Sequence, residues 1–274
     1  MIAGDRFGKL SDFVSKHSLV IFFVMVIPLA WIWWYQMVLG IWPIELLIIP
    51  STLGGISPVL TLWFLEKYTG DKVYLTKIIL TTKKWREIVP WLVLAAFALP
   101  LITTIGNLVS FAFGLELQLG LLNPEPAELG IALIAIVPLT FFPGLLSSPL
   151  LEEPGWRGFA LPKLQARFGR EIGSLLLGSY WWLWHQMSNI SFGIYPSVLG
   201  YLSMLGHSFA IDSMYNLSRR NILAAMFAHQ SMFIMFTYLY RTGNELAALV
   251  IICLTWVFVL VLRLRERGNP VIIS

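Results

Sequence analysis

Ser147–Arg170 reads SSPLLEEPGWRGFALPKLQARFGR and follows an apolar run that begins near Leu129. Two adjacent carboxylates, Glu152 and Glu153, and the guanidinium of Arg157 therefore stand at or below a membrane surface. On the translocon scale a charge at the middle of a lipid-facing helix costs roughly 2.5 to 3.5 kcal/mol, so three together cost about 8 to 10. They must pair, face a wet cavity or lie in the interface. A short solvated loop with a Glu–Arg ion pair would satisfy the same residues, and the other apolar segments decide between the two.

Those segments dominate the chain. Of 274 residues 57% are hydrophobic and 12% charged, with a mean hydropathy of +0.75, far from the balance of a soluble domain. The expectation is an all-α, polytopic membrane protein. Cys253 is the single cysteine, so no intrachain disulfide forms. The opening MIAGDRFGKLSDFVSKHS is polar and basic, and the apolar run after it lacks a small-residue cleavage site, which reads as a retained first span.

Runs of about the 17 to 25 residues that cross a hydrocarbon core lie at about 19–39, 42–65, 88–115, 129–151, 172–190, 195–211, 221–240 and 245–263, giving about eight helices. Placing the N-terminus in the cytoplasm puts every Lys and Arg except Arg241 on the inner side, as the positive-inside rule requires. Both termini are then cytoplasmic and the span count is even. The basic charge becomes an orientation signal facing the lipid bilayer's anionic leaflet, and no nucleic-acid partner is needed. Residues 66–88, EKYTGDKVYLTKIILTTKKWREI, read as a cytoplasmic amphipathic surface segment. Residues 116–129, ELQLGLLNPEPAEL, read as a solvated outer loop. Most of the 12 tryptophans read as interfacial anchors and packing.

Two further ionisable residues fall inside predicted spans. His185 lies in GSYWWLWHQMSNI and His229 in NILAAMFAHQSMF, roughly 21 and 14 Å from the inner surface at 1.5 Å per residue. A lone histidine in a span usually packs and catalyses nothing. Two histidines with a glutamate pair, on three spans and accessible from one side, instead predict a polar pocket, since buried ionisable groups in lipid need one another. A carboxylate beside a like charge and partly withdrawn from water suits a general base, and a histidine can donate to a developing oxyanion.

With these residues in view, EEPGWRGFALPKLQ resembles the EExxxR motif, Trp181 to His185 the aromatic-xxx-His motif, and YNLSRRNILAAMFAHQ the third, histidine-bearing motif of the CPBP, or Abi, family of intramembrane proteases. That family includes the type II CAAX prenyl proteases, their bacteriocin-processing relatives and lysostaphin-resistance-protein-A-like proteins. The resemblance spans about 129–235, leaving the first three helices and the last outside. It implies a conical polar cavity open to the cytoplasmic side, with Glu152 activating a water, assisted by His185. Glu153 would orient neighbouring groups, Arg157 would hold the carboxylate pair, and His229 would stabilise the oxyanion. The implied partner is a membrane-anchored, possibly prenylated, peptide or protein substrate.

One position departs from the pattern. Four residues after the third-motif histidine the family usually carries Asn, sometimes Asp; here it is Phe233, which donates no hydrogen bond. Loss of one oxyanion donor typically costs 100- to 1,000-fold in rate, so either Asn189, Asn216 or another residue substitutes, or the site is slow or silent. There is no HExxH, and the mechanism implied by the resemblance requires no cofactor. Zinc, if present, would take Glu152, His185 and His229. His207 and Asp212 read as interhelical packing and capping, and His17 as a surface residue.

The expected organisation is an N-terminal part at 1–128, a catalytic core at 129–240 and a final helix with a basic tail at 241–274. The leading function is an intramembrane endopeptidase of the cytoplasmic membrane. A catalytically weak or inactive membrane binding or immunity protein of the same fold is second. A small ion-coupled transporter ranks last, because no inverted repeat is visible.

Overall fold

A computed structural model of the chain describes residues 2–69, 85–114, 132–239 and 245–268. The amphipathic stretch from Gly70 to Lys84, the outer loop at 116–129 and Arg241 lie outside the described residues. In chain order the helices are α1 (Ile2–Val38), a 3-10 turn (Ile44–Leu46), α2 (Ile48–Gly55), α3 (Ser57–Thr69), α4 (Trp85–Ala112), α5 (Ala132–Gly144), α6 (Ser148–Glu153), a π-helical turn (Pro154–Ala160), α7 (Leu161–Phe168), α8 (Arg170–Ser191), α9 (Val198–Leu217), α10 (Ile222–Ile234), a second π-helical turn (Met235–Leu239) and α11 (Glu245–Gly268). The all-α expectation holds.

Among the described residues, five helical stretches have the length and composition to cross a membrane: Gly8–Val38, Ile44–Tyr68, Arg86–Ala112, Ile222–Leu239 and Glu245–Gly268. These correspond to the first, second, third, seventh and eighth predicted runs. The other three are helical but interrupted or more polar. The fourth divides into α5 and α6, the fifth becomes α8 with its serines, His185 and Gln186, and the sixth becomes α9. The N-terminal helix also begins earlier than its apolar run, since the polar residues ahead of position 19 continue the same helix.

Two compact units interleave in sequence, Met1–Thr82 with Leu150–Ser197 and Lys83–Pro149 with Val198–Ser274. In the first, α1 packs on α3, α2 and α8. Its buried residues Val14, Ser18, Phe22, Val26, Ala30, Trp34 and Met37 fall almost every fourth position, the spacing that stacks side chains on one helical face. Val20, Val24 and Ile32 on other faces are exposed, as a lipid-facing surface requires. Gly54 sits under this stripe: a Cβ there would lie 2.2 Å from the Trp34 indole nitrogen. That nitrogen donates to the Ser51 carbonyl at 3.2 Å.

In the second unit α10 packs on α4, α9 and α5, and α11 packs on α9 and α4. Asn221 caps α10 by accepting from the Leu223 amide at 2.9 Å. The Gln230 side chain donates to the Thr140 carbonyl at 3.5 Å, Tyr238 donates to the Thr140 hydroxyl at 3.3 Å, and Asn107 donates to the Leu239 carbonyl at 2.6 Å. Polar side chains thus join helices across an apolar interior, where an unmet donor costs more than in water.

Near the helix ends, Arg219 pairs with Glu87 at 2.6 Å, and the Ser11 hydroxyl donates to the Tyr68 carbonyl at 2.6 Å.

Candidate active site

The decisive stretch folds as a nearly continuous helical path rather than a solvated loop. Pro154 has no amide hydrogen for the carbonyl four residues back, and the chain passes this gap in the π-helical turn Pro154–Ala160. The flanking residues stay helical, with Glu153 at φ −61, ψ −35 and Leu161 at φ −56, ψ −50. Such π turns are frequent at functional sites. Gly155 is required by packing, because a Cβ there would meet the Pro58 Cβ at 2.8 Å and the Pro58 carbonyl oxygen at 3.1 Å.

This geometry buries the whole motif. Glu152 is 3% exposed, and Glu153 and Arg157 are 0%, which excludes the solvated-loop alternative. Arg157 Nη1 lies 3.0 Å from Glu153 Oε1, one turn apart. Its guanidinium carbon also lies 4.7 Å from the centre of the Trp181 ring, a cation–π geometry. Glu152 takes a different donor, the Trp181 indole Nε1, at 3.1 Å from Oε2.

His185, half-buried on α8, is fixed by tryptophans. Its Nδ1 lies 2.9 Å from the Trp181 carbonyl oxygen; since a carbonyl only accepts, Nδ1 carries the proton and Nε2 is the basic nitrogen of the neutral ring. Trp181 and Trp184 approach it edge to face at 5.0 and 4.6 Å, and Trp34 stacks at 6.4 Å. These rings are anchored in turn. Trp184 donates to the Ser57 hydroxyl at 3.1 Å, Trp31 donates to the Trp184 carbonyl at 3.0 Å, and Tyr180 donates to the Phe23 carbonyl. Trp156, Trp181 and Trp184 are all 0% exposed. Of the two roles read for most tryptophans, these three take packing: Trp181 and Trp184 flank the histidine, and Trp156 packs on Trp184.

The second unit holds the remaining candidates. His229 is buried on α10, whereas Phe233, one turn further on, is 55% exposed. Asn216, a possible substitute donor, already gives its amide to Glu266 Oε2 at 3.4 Å; the same carboxylate pairs with Arg263 at 3.3 Å. His207 and Asp212 are buried on α9, with His207 beside Ser203 at 3.5 Å and its ring 5.8 Å from that of Phe236. Both belong to the packing of this unit. Among the described residues no group of three or more His, Cys, Asp or Glu side chains could hold a metal ion. The zinc arrangement thus gains no support, and no step below passes through a metal.

Fold and site together define a class: an all-α, polytopic membrane protein with a buried glutamate pair, an arginine and a tryptophan-walled histidine. Residues 132–259 match the family model described as type II CAAX prenyl endopeptidase Rce1-like. A curated relative, CAAX prenyl protease 2 of Methanococcus maripaludis, is 32% identical over 103 residues, an alignment covering 34% of this chain and 37% of the relative. The chain thus spans little more than a third of that relative's length. Residues 132–259 are thus similar to the type II CAAX prenyl endopeptidases. The match extends past position 240 into α11, which the motifs alone had left outside.

Proposed function

We propose that the protein is an intramembrane endopeptidase that hydrolyses a peptide bond near the cytoplasmic face through a water activated by Glu152. The observation that carries this reading is the burial, within the first unit, of Glu152, Glu153 and Arg157 against the tryptophans that hold His185. Arg157 pairs with Glu153, and the Trp181 indole donates to Glu152. His185, with Nε2 as its basic nitrogen, assists the proton transfer to Glu152. His229, on the helix bearing the third motif, donates to the oxyanion as the carbonyl becomes tetrahedral. In this reading the substrate is a membrane-anchored peptide that enters from the cytoplasmic side. By analogy with the relative named CAAX prenyl protease 2, a prenylated cysteine three residues before the substrate's C-terminus is the feature recognised.

The test is release of the C-terminal tripeptide from a farnesylated Cys-aliphatic-aliphatic-X peptide by purified protein in liposomes. Glu152→Gln preserves shape and removes the base, and turnover should vanish while the melting profile stays near wild type. Turnover at the wild-type rate in that variant would end the proposal.

Phe233 favours a second reading, a membrane binding or immunity protein that retains the fold but has lost catalysis. It predicts binding of the same peptide by wild type without release.

A further inference from the structure

We propose that Trp181 is a positioning residue for the reaction, its indole N–H fixing the Glu152 carboxylate while its backbone carbonyl fixes His185; this rests on the endopeptidase reading above. A ring at this position need only be aromatic to fill the space between Arg157 and His185. The structure shows more than filling, because Nε1 points at Glu152 Oε2 at 3.1 Å and both side chains are buried. Phenylalanine would keep an aromatic ring there, with less volume, and donate nothing.

The indole is itself prevented from turning. Arg157 lies over its face at 4.7 Å, His185 meets it at 5.0 Å, and the ring is 0% exposed. One residue thereby sets the direction of both proton-handling groups: the carboxylate through the side chain, the imidazole through the Trp181 carbonyl at 2.9 Å. Glu153 and Arg157 pair on the same segment, and the indole contact aims the neighbouring Glu152 carboxylate.

Trp181→Phe isolates the N–H. With the farnesylated peptide, kcat should fall about ten-fold, the scale of a hydrogen bond to a charged group, with KM within about two-fold. A purely structural role would lower the active fraction and leave kcat per active enzyme unchanged. Independently, selective ¹⁵N labelling of the indole at position 181 in otherwise native protein should give a downfield proton resonance that moves upfield in Glu152→Gln. This measurement needs no turnover, so it decides the matter if Trp181→Phe does not fold or the peptide is not cleaved. An unmoved resonance, or a folded Trp181→Phe with wild-type kcat, overturns the proposal. Wild-type turnover in Glu152→Gln instead removes Glu152 as the base on which the proposed function rests.

Discussion

Arg157 holds Glu153 at 3.0 Å with both side chains wholly removed from solvent. The two residues sit one turn apart on a π-helical path, so the bond is local, yet it lets a second carboxylate, Glu152, exist beside the first in a low-dielectric interior. A buried pair of this kind is strong evidence of constraint and weak evidence of net stability, because desolvation consumes most of the attraction.

Breaking the pair should therefore hurt more than deleting it. Arg157→Met strands Glu153 and should lower unfolding stability by about 3 to 5 kcal/mol. The double variant Arg157→Met, Glu153→Gln should recover a substantial part of that loss. Thermal unfolding in detergent checks both, and equal melting of wild type and the single variant would contradict the pairing.

Gly155→Ala should destabilise without touching chemistry directly. The new Cβ meets Pro58 at 2.8 Å and its carbonyl at 3.1 Å, contacts that α3 relieves only by shifting, at a cost of about 1 to 3 kcal/mol. The corresponding substitution at Gly169 points into open space at φ +81. It should reflect backbone strain alone, about 1 to 3 kcal/mol, because φ +81 with ψ 168 is a conformation that essentially only glycine adopts. Equal melting temperatures for Gly155→Ala and wild type would show that α3 is not pressed against this turn.

Phe233→Asn separates the two functional readings. In an active protease that already has an oxyanion donor, the change should alter turnover less than about ten-fold; in a drifted site it should create turnover where wild type has none, since one donor is worth 100- to 1,000-fold. Peptide release by the two proteins under identical conditions provides the comparison.

Topology is open to direct labelling. Arg219 and Glu87 are paired and exposed, at 72% and 45% of their side-chain surface. In a Cys253→Ala background, Arg219→Cys and Glu87→Cys should each react with an impermeant maleimide only from the cytoplasmic side. Reaction of either from outside would reverse the orientation drawn from the positive charges.

The candidate residues stood out because hydrocarbon makes charge conspicuous: Glu152, Glu153, Arg157, His185 and His229 are found by asking what has no business in a span. The helical class was legible for the same reason. What packs against what was not. Along α1 the buried Val26 and Ala30 and the exposed Val24 and Ile32 are equally apolar, so periodicity that separates core from surface in water carries no signal in lipid. The interleaving of the two units is hidden likewise, since Leu150 leaves one for the other in mid-helix. Trp181 was visible only as an aromatic at motif spacing. That its N–H meets Glu152 depends on α8 facing the turn at Pro154, a tertiary relation with no local trace in WWLWH.

The most direct test of the central claim, that Glu152, His185 and His229 serve one reaction, is a set of single-turnover rates on the farnesylated peptide for Glu152→Gln, His185→Ala, His229→Ala and their pairs. Groups acting as one unit are strongly non-additive. Each single change should remove about 1,000-fold or more in rate, with each pair little worse than its poorer member. A folded single variant that retains wild-type turnover, or losses that simply multiply, would contradict it.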